Sequence, residues 1–336
     1  MVIDAHSHGF HGPSLDQFEK AGGTWAKKTL DKLLSMVRNQ PAFIDAGLRI
    51  EALERNKVNL QVVTPAHYLD SNLLPGDSMA QLTMAKALND NMARLMEASR
   101  GRLLTLGSVP LVGFEKGGSK EMERAIGTLG LKGISLPTNL IGKPVDLPEF
   151  EPFWAKAAEM NAAIYLHPQD PVSHAGRPYE ADYDLSHTFA WPYDTVLILA
   201  RLVFSGIMEK YSGLKIVSHH LGGGMIPFFW GRISETYAPD NDQSQLERKI
   251  GRSLPKPIFE YFSRFYYDTA VGGSGPAIRC TYELFGADQI VFATDFPFGP
   301  AEKRLATYPA VIRSLGFPEA DTEKIFEFNI RRILDL

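Results

Sequence analysis

The sequence predicts an α/β fold, a (β/α)8 TIM barrel with insertions after strands 1 and 5. Three observations lead to this prediction: short β-branched runs recur along the chain, a helical pattern follows most of them, and most of the runs are apolar throughout. Strands that are apolar throughout are typical of parallel sheets buried on both faces. Strands that alternate with helices form βα units, and eight such units close into a barrel.

Eight segments carry the strand pattern of β-branched and aromatic residues between turn signals. They are Val2–Ala5, Leu60–Thr64, Leu103–Gly107, Gly133–Leu136, Ala163–Leu166, Lys215–Ser218, Phe265–Asp268 and Ile290–Ala293. Amphipathic stretches lie between these segments and are predicted to be helices. The clearest of them are Ser78–Ser99, Ser119–Thr128, Glu149–Met160 and Thr195–Tyr211.

The alternative fold is a doubly wound open sheet. That fold normally carries a glycine-rich phosphate loop after its first strand, whereas the first strand here ends in His-Ser-His. The two long insertions are Gly9–Gly47 and His174–Asp194. In a barrel both lie over the face at the carboxyl ends of the strands, where active sites are found. We therefore expect them to act as lids or subunit contacts.

Length and composition are those of an ordinary globular enzyme, and we expect one domain over residues 1–336. Hydrophobic residues make up 44% and charged residues 22% of the chain, which excludes disordered and collagen-like proteins. The net charge of −4 gives no basic excess that would indicate nucleic acid or a membrane surface as a partner. The single cysteine, Cys280, excludes an intrachain disulfide and a cysteine-based zinc cluster. The start MVIDAHSH does not resemble a secretory signal, so we expect a cytoplasmic, soluble protein.

The histidines are concentrated at the ends of predicted strands. The chain has nine histidines, and a lone histidine is usually structural, but several at one barrel mouth suggest a site. Those at or just after a strand end are His6, His8, His167, His219 and His220.

Three of these histidines and one aspartate form a candidate metal site. Alternate side chains of a strand share a face, so His6 and His8 both point into the barrel. His167 ends the fifth strand, because Pro168 cannot continue the ladder, and it would supply a third imidazole. Asp295 follows the eighth strand, which neighbours the first in a closed barrel. Such a ligand set suits Zn²⁺ or a similar divalent ion and leaves room for water or substrate.

The sixth strand is followed by His219 and His220. Adjacent residues of a strand point to opposite faces, so we expect only one of the two to enter the site. A histidine near a metal-bound water, whose pKa is lowered towards neutrality, is suited to act as a general base. The following glycines, Gly222–Gly224, would let a ligand or a neighbouring backbone approach closely.

Together these segments resemble the amidohydrolase superfamily, in its amidohydrolase-2 branch of aminocarboxymuconate-semialdehyde and γ-resorcylate decarboxylases. The resemblance runs along essentially the whole chain. It is carried by IDAHSH, GLRIEALERNKVNLQVVTP, YLHP, FSGIMEKYSGLKIVSHHLGGGMIPFFWGRI and VFATDFPFG. It implies one Zn²⁺, or Mn²⁺, bound by His6, His8, His167 and Asp295.

The resemblance also implies roles for single residues. His220 is implied to be the acid/base, with His219 in packing or loop support, and Asp295 to exchange a proton as well as bind the metal. Arg49 lies where a relative has an arginine that binds the substrate's carboxylate. Arg232 matches an arginine that reaches into the neighbouring subunit's site, so a homodimer or higher homo-oligomer is also implied.

Two departures leave the substrate open. The sequence has a leucine between His220 and the glycines, and the loop His174–Asp194 differs from the corresponding loop of family members. Members with two metals bridge them with a lysine at the end of the fourth strand. That strand here ends in Ser135-Leu136-Pro137, which favours one metal.

The predicted function is metal-dependent, non-oxidative decarboxylation of an aromatic or muconate-type carboxylic acid. Arg49 would orient a carboxylate and His220 would move the proton. The alternative is hydrolysis or hydration of a related ring-cleavage product or lactone, because the same metal-bound hydroxide and base serve both reactions. A non-catalytic metal-binding barrel is disfavoured because the ligand set is intact. The aromatic run Phe228-Phe229-Trp230 beside Arg232 suits a subunit interface, with core packing as the alternative.

Overall fold

The computed structural model describes residues 1–169, 183, 185–238 and 254–336, and these residues contain eight parallel strands that form a barrel. The strands are β1 (Ile3–His8), β2 (Leu60–Thr64), β3 (Leu103–Thr105), β4 (Ile134–Pro137), β5 (Ala163–His167), β6 (Lys215–Ser218), β7 (Tyr266–Asp268) and β8 (Ile290–Val291). Each corresponds to one predicted strand, with ends that differ by at most three residues. A short antiparallel pair, Asn139–Leu140 with Lys143–Pro144, follows β4.

Two parallel bridges close the barrel. The strands pair in the orders β1-β2-β3 and β4-β5-β6-β7-β8. A bridge between Gly107 and Ile134 joins the two groups on one side, and a bridge between Ser7 and Phe296 joins them on the other. The backbone N–H of His8 donates to the Phe296 carbonyl over 2.7 Å across the second junction. The predicted barrel is therefore confirmed, and the open-sheet alternative is excluded.

Helices cover the outside of the barrel and cap its ends. They are α1 (Asp16–Met36), α2 (Ala46–Arg55), α3 (Ser78–Ala98), α4 (Gly118–Glu123), α5 (Glu151–Glu159), α6 (Trp191–Phe204), α7 (Ile207–Lys210), α8 (Met225–Phe228), α9 (Trp230–Thr236), α10 (Ile258–Phe262), α11 (Gly275–Phe285), α12 (Ala301–Ser314), α13 (Glu319–Glu323) and α14 (Asn329–Leu334). Within the described part of the chain, none of them is long and apolar enough to cross a bilayer.

Apolar side chains fill the barrel below its carboxyl-terminal face. Ala163, Tyr165, Val217 and Val291 belong to one buried cluster with side chains from β1 and β2, and Ile333 of α14 packs against the same cluster. Polar residues of β1, β5 and β6 come after these apolar residues along each strand. They therefore lie at the carboxyl ends of the strands. This is the face at which barrel enzymes carry their catalytic groups, so the candidate metal site predicted from the sequence lies there.

The first insertion is an ordered part of the fold. Most of it is the long helix α1, which is bent at Gly23, whose φ is +56°. The Asn91 amide of α3 donates to the His11 carbonyl over 3.0 Å and to the Ser14 hydroxyl over 2.9 Å. Of the second insertion, residues 174–182 and 184 lie outside the described residues, so its expected lid role stays a prediction. Its described end, Ser186–Ala190, leads into α6.

Candidate active site

Three histidine rings from two strands of the barrel, β1 and β5, meet at its carboxyl-terminal face. The ring centroids of His6 and His8 lie 4.7 Å apart, and that of His167 lies 5.7 Å from the first and 5.0 Å from the second. The nitrogens that these three side chains offer as ligands all lie within 4.8 Å of one another. The structure thus brings together the three histidines that the sequence assigned to one metal ion.

An irregularity in β1 helps to aim its histidines. The pairing with β2 shifts between Asp4 and Ser7, where β1 carries one residue more than its neighbour. Such bulges re-aim side chains and are common next to active sites. Nδ1 of His6 lies 3.4 Å from the Thr64 hydroxyl. Nε2 of His6 is buried and has no hydrogen-bond partner.

His167 is oriented by its own backbone. Its Nδ1 lies 2.7 Å from the carbonyl oxygen of Pro168, so this nitrogen carries the proton and donates it to the carbonyl. Nε2 is left as the nitrogen with a free lone pair. A hydrogen bond of this kind fixes the tautomer of metal-binding histidines in proteins.

Asp295 completes the candidate ligand set. Its Oδ1 lies 3.6 Å from Nε2 of His6 and 3.5 Å from Nε2 of His8. Its Oδ2 accepts a hydrogen bond of 2.9 Å from Nη1 of Arg304 in α12. Its backbone has a φ of +61°, a strained conformation that proteins retain mainly at functional sites. Burial raises the pKa of Asp295, and His220 and Arg304 oppose that rise.

The chemistry of these donors fits a divalent metal ion. Burial lowers the pKa of His6, His8 and His167 well below the ordinary value, and the neighbouring histidines lower it further. The three rings are therefore neutral and can offer lone pairs, as metal ligands must. The buried Nε2 of His6 also lacks the partner that a buried nitrogen would normally have. Three imidazoles and one carboxylate could hold Zn²⁺ or a similar ion.

Both His219 and His220 lie beside this cluster, contrary to the expectation that only one would enter it. The His219 ring stacks on His6 with centroids 3.4 Å apart, and the His220 ring lies 5.7 Å from His6. Strand alternation ends at Ser218, and His220 has a φ of +55°. The turn therefore brings the second ring back to the site. Nδ1 of His220 donates to the Ala270 carbonyl over 2.7 Å.

Asp268, the last residue of β7, organises this turn and was not predicted as a site residue. Its Oδ2 lies 2.6 Å from Nδ1 of His219. Its Oδ1 accepts hydrogen bonds from the backbone N–H groups of His220, over 2.8 Å, and Ala270, over 3.0 Å. Burial lowers the pKa of His219, and the hydrogen bond to Asp268 opposes that effect. Asp268 therefore positions both histidines, and its buried carboxylate at the end of a strand was the available signal.

Arg49 lies against the backbone of the candidate ligand His8, and the substrate-binding role implied by the resemblance stays a prediction. Its side chain has no exposed surface. Nε donates to the Ala42 carbonyl over 3.0 Å, and Nη1 donates to Oε1 of Gln61 over 2.7 Å and to the Ser7 hydroxyl over 3.2 Å. Nη2 donates to the backbone carbonyl of His8. The guanidinium thus holds the backbone of a candidate metal ligand and is committed to protein acceptors.

Arg232 lies in α9. It is exposed on α9, next to α8 with the exposed rings of Phe228 and Phe229. This position leaves open the expected role in a neighbouring subunit.

His67, which the sequence analysis passed over, lies at the same face as the candidate metal ligands. It follows β2 in a short 3-10 helix and is buried. Its ring stacks on His167 with centroids 4.3 Å apart and lies 6.3 Å from His8. Its position three residues beyond the end of β2 was the signal that would have found it.

Comparison with known proteins places this geometry in a family. A family model described as amidohydrolase matches residues 3–336. The chain belongs to the amidohydrolase family. It is 29% identical over 255 residues to a 2-amino-3-carboxymuconate-6-semialdehyde decarboxylase of Dictyostelium discoideum. The aligned residues make up 76% of this chain and 67% of that protein.

Two further proteins show the same likeness over most of their length. A γ-resorcylate decarboxylase of Rhizobium sp. (strain MTP-10005) is 25% identical over 327 residues, 94% of this chain and 91% of that protein. The crystal structure of a dihydroxybenzoic acid decarboxylase from Polaromonas sp. JS666, with bound manganese and 2-nitroresorcinol, superposes with a TM-score of 0.80 at 22% identity. The superposition covers 100% of this chain and 97% of that one and shows a shared fold.

Proposed function

We propose that this amidohydrolase-family chain is a metal-dependent, non-oxidative decarboxylase, a carboxy-lyase, of an aromatic or muconate-type carboxylic acid. The observation that carries the proposal is the convergence of His6, His8, His167 and Asp295 at the carboxyl-terminal face of the barrel. The similar proteins named above are decarboxylases of acids of this kind, which supports this reaction class over others that a barrel of this family can host.

The four ligands are proposed to hold one divalent ion. That ion would supply the positive charge that binds the substrate's carboxylate and an adjacent oxygen. Zn²⁺ is the preferred assignment, because three imidazoles and a carboxylate are typical zinc donors. Mn²⁺ is the alternative, and it has support from the manganese bound in the Polaromonas relative. Elemental analysis of the purified protein, with expected stoichiometry near one, distinguishes the two metals.

The residues of the chain are proposed to manage the proton. Loss of CO₂ breaks the bond between the carboxylate carbon and the ring carbon, and the electron pair stays on the ring carbon until a proton arrives there. His220 is the proposed donor: its Nδ1–H stays on the Ala270 carbonyl, and the proton that it transfers to the ring carbon is one carried on Nε2, which leaves the neutral imidazole. Asp295 is proposed as a second proton-exchange group, as the resemblance implies.

The test is turnover of a pooled panel followed by mass spectrometry. The panel contains hydroxybenzoates, carboxymuconate-type acids, and unsaturated ring-cleavage acids and lactones. Metal-loaded wild type is compared with His220→Ala and with the control His187→Ala, which replaces an exposed histidine. Loss of the mass of CO₂ that requires His220 supports decarboxylation. A gain of the mass of water would replace the proposal with the hydrolase or hydratase alternative at the same site.

We also propose a homodimer or higher homo-oligomer in which Arg232 reaches the partner's site. Phe228 is 74% and Phe229 is 39% exposed, and their rings touch edge to face 4.9 Å apart. Exposed aromatic and arginine side chains together are typical of protein interfaces, and the core-packing alternative does not fit these exposures. Light scattering that gives the chain mass of 37.3 kDa for the protein in solution would contradict the proposal.

Two further expectations remain proposals. Residues 1–336 are proposed to fold as one barrel domain, which predicts a single cooperative unfolding transition for the metal-loaded protein. The cytoplasmic location expected from the sequence is tested by cell fractionation.

A further inference from the structure

One imidazole at the active-site face has no part in the mechanism proposed above. The His67 side chain is only 6% exposed, and among the residues that the structure describes neither its Nδ1 nor its Nε2 has a hydrogen-bond partner. Buried polar groups in native proteins almost always have a partner, and leaving one unsatisfied is costly. Two orphaned nitrogens on a single buried ring therefore point to a partner from outside the protein.

Neighbouring rings fix the orientation of this imidazole. It stacks on His167 at a centroid distance of 4.3 Å and an interplanar angle of 17°. The indole of Trp191 packs against it edge to face, with centroids 5.1 Å apart and planes at 90°. His67 is thus held between a proposed metal ligand and an aromatic wall. Its two unpaired nitrogens are therefore next to a proposed metal ligand.

We propose that His67 forms a subsite that binds a ring hydroxyl group of an aromatic carboxylic acid. The inference deepens the proposed function and rests on it. Each neutral tautomer of histidine presents one N–H donor and one bare nitrogen acceptor. A phenolic hydroxyl is both donor and acceptor, so it pairs with either tautomer, whereas a second carboxylate accepts only. The faces of the His67 ring already contact Tyr68 and His167, at centroid distances of 3.9 and 4.3 Å, so the substrate's hydroxyl is bound at the edge of the ring, through a nitrogen.

The inference is tested by binding, which does not require turnover. Calorimetry measures the affinity of the metal-loaded protein for benzoate and for 2-, 3- and 4-hydroxybenzoate. The variants are His67→Phe, which keeps the ring stacking but removes both nitrogens, and His67→Gln, which keeps one donor and one acceptor. His187→Phe is the matched control, because it makes the same substitution at a second histidine whose ring contacts Trp191 but is exposed.

Wild type is expected to bind at least one hydroxybenzoate about tenfold more tightly than benzoate, as one well-placed hydrogen bond allows. His67→Phe is expected to lose that preference while its affinity for benzoate and its metal content stay unchanged. His67→Gln should keep part of the preference, and His187→Phe all of it.

The inference is overturned if His67→Phe keeps the full preference, or if wild type binds no hydroxybenzoate more tightly than benzoate. A His67-dependent preference without loss of CO₂ from any acid would refute the decarboxylase proposal and leave the subsite standing. Loss of CO₂ from acids with and without the hydroxyl at equal efficiency in both proteins would refute the subsite alone.

Discussion

Replacement of Arg49 by methionine separates a structural role from a substrate-binding one. The change removes charged hydrogen bonds to the carbonyls of Ala42 and His8 and to Gln61. Hydrogen bonds from charged donors contribute about 1.5–3 kcal/mol each. Burial lowers the pKa of Arg49 to about 9, with Asp4 opposing that effect. Keeping this charge buried therefore costs free energy, and its removal offsets part of the stability lost with the hydrogen bonds. Removing one member of such a buried network costs about 3–5 kcal/mol net.

That loss has a measurable thermal signature. Unfolding entropy of about 2.1 cal/mol/K per residue over 336 residues gives about 0.7 kcal/mol/K. We therefore expect Tm of Arg49→Met to fall by about 4–7 °C in differential scanning calorimetry. KM for the substrate should stay unchanged. Weaker metal binding is also expected, since the His8 carbonyl loses its anchor.

The control is Arg38→Met, an exposed position at which Tm should move by less than about 1 °C. Arg49→Lys keeps the charge but not the planar fork, and it should give an intermediate loss if the methionine variant is too unstable to purify. An unchanged Tm together with a raised KM in Arg49→Met would refute the reasoning and support the substrate-binding role.

Three further predictions concern the imidazole cluster. Burial lowers the pKa of His67 to about 3 from 6.5, so below pH 6.5 the unfolded state binds more protons and stability falls. Between pH 7 and pH 5, the free energy of unfolding of His67→Gln should fall by about 2 kcal/mol less than that of wild type, as measured by urea titration. Equal decreases in the two proteins would contradict this prediction. Asp268→Asn should lower kcat about 10–100-fold with KM nearly unchanged, because the hydrogen bond that positions His219 weakens. A raised KM with an unchanged kcat would contradict this prediction. His8→Ala should bind well under one metal ion per chain by elemental analysis, while the control His11→Ala keeps its metal.

The convergence of the candidate ligands was predictable from local patterns. His6 and His8 are two residues apart on a strand, and strand alternation alone puts them on one face. Asp295 follows the last strand of a barrel, and closure makes that strand the neighbour of the first. These arguments need only the strand period and the order of strands, both of which the sequence carries.

Side chains beyond the strand ends were not predictable in this way. Alternation failed for His219 and His220 because the chain turns at a positive φ directly after the strand. Asp268 acts on both from a different strand, and no pattern within one segment reveals a contact of that kind. His67 reaches the site from a turn after β2, where no period applies.

The hydrogen-bond partners of Arg49 were not predictable from its local motif either. Its motif resembles that of a substrate-binding arginine, yet the buried acceptors around it come from the segment before α2 and from β1 and β2. By itself the sequence determined the barrel, the order of its strands and the face that carries the histidines, because these follow from periodicity and from strand order along the chain. Only the tertiary structure decided which polar groups are buried together and what each one bonds, because hydrogen bonds form between segments whose proximity no local pattern records.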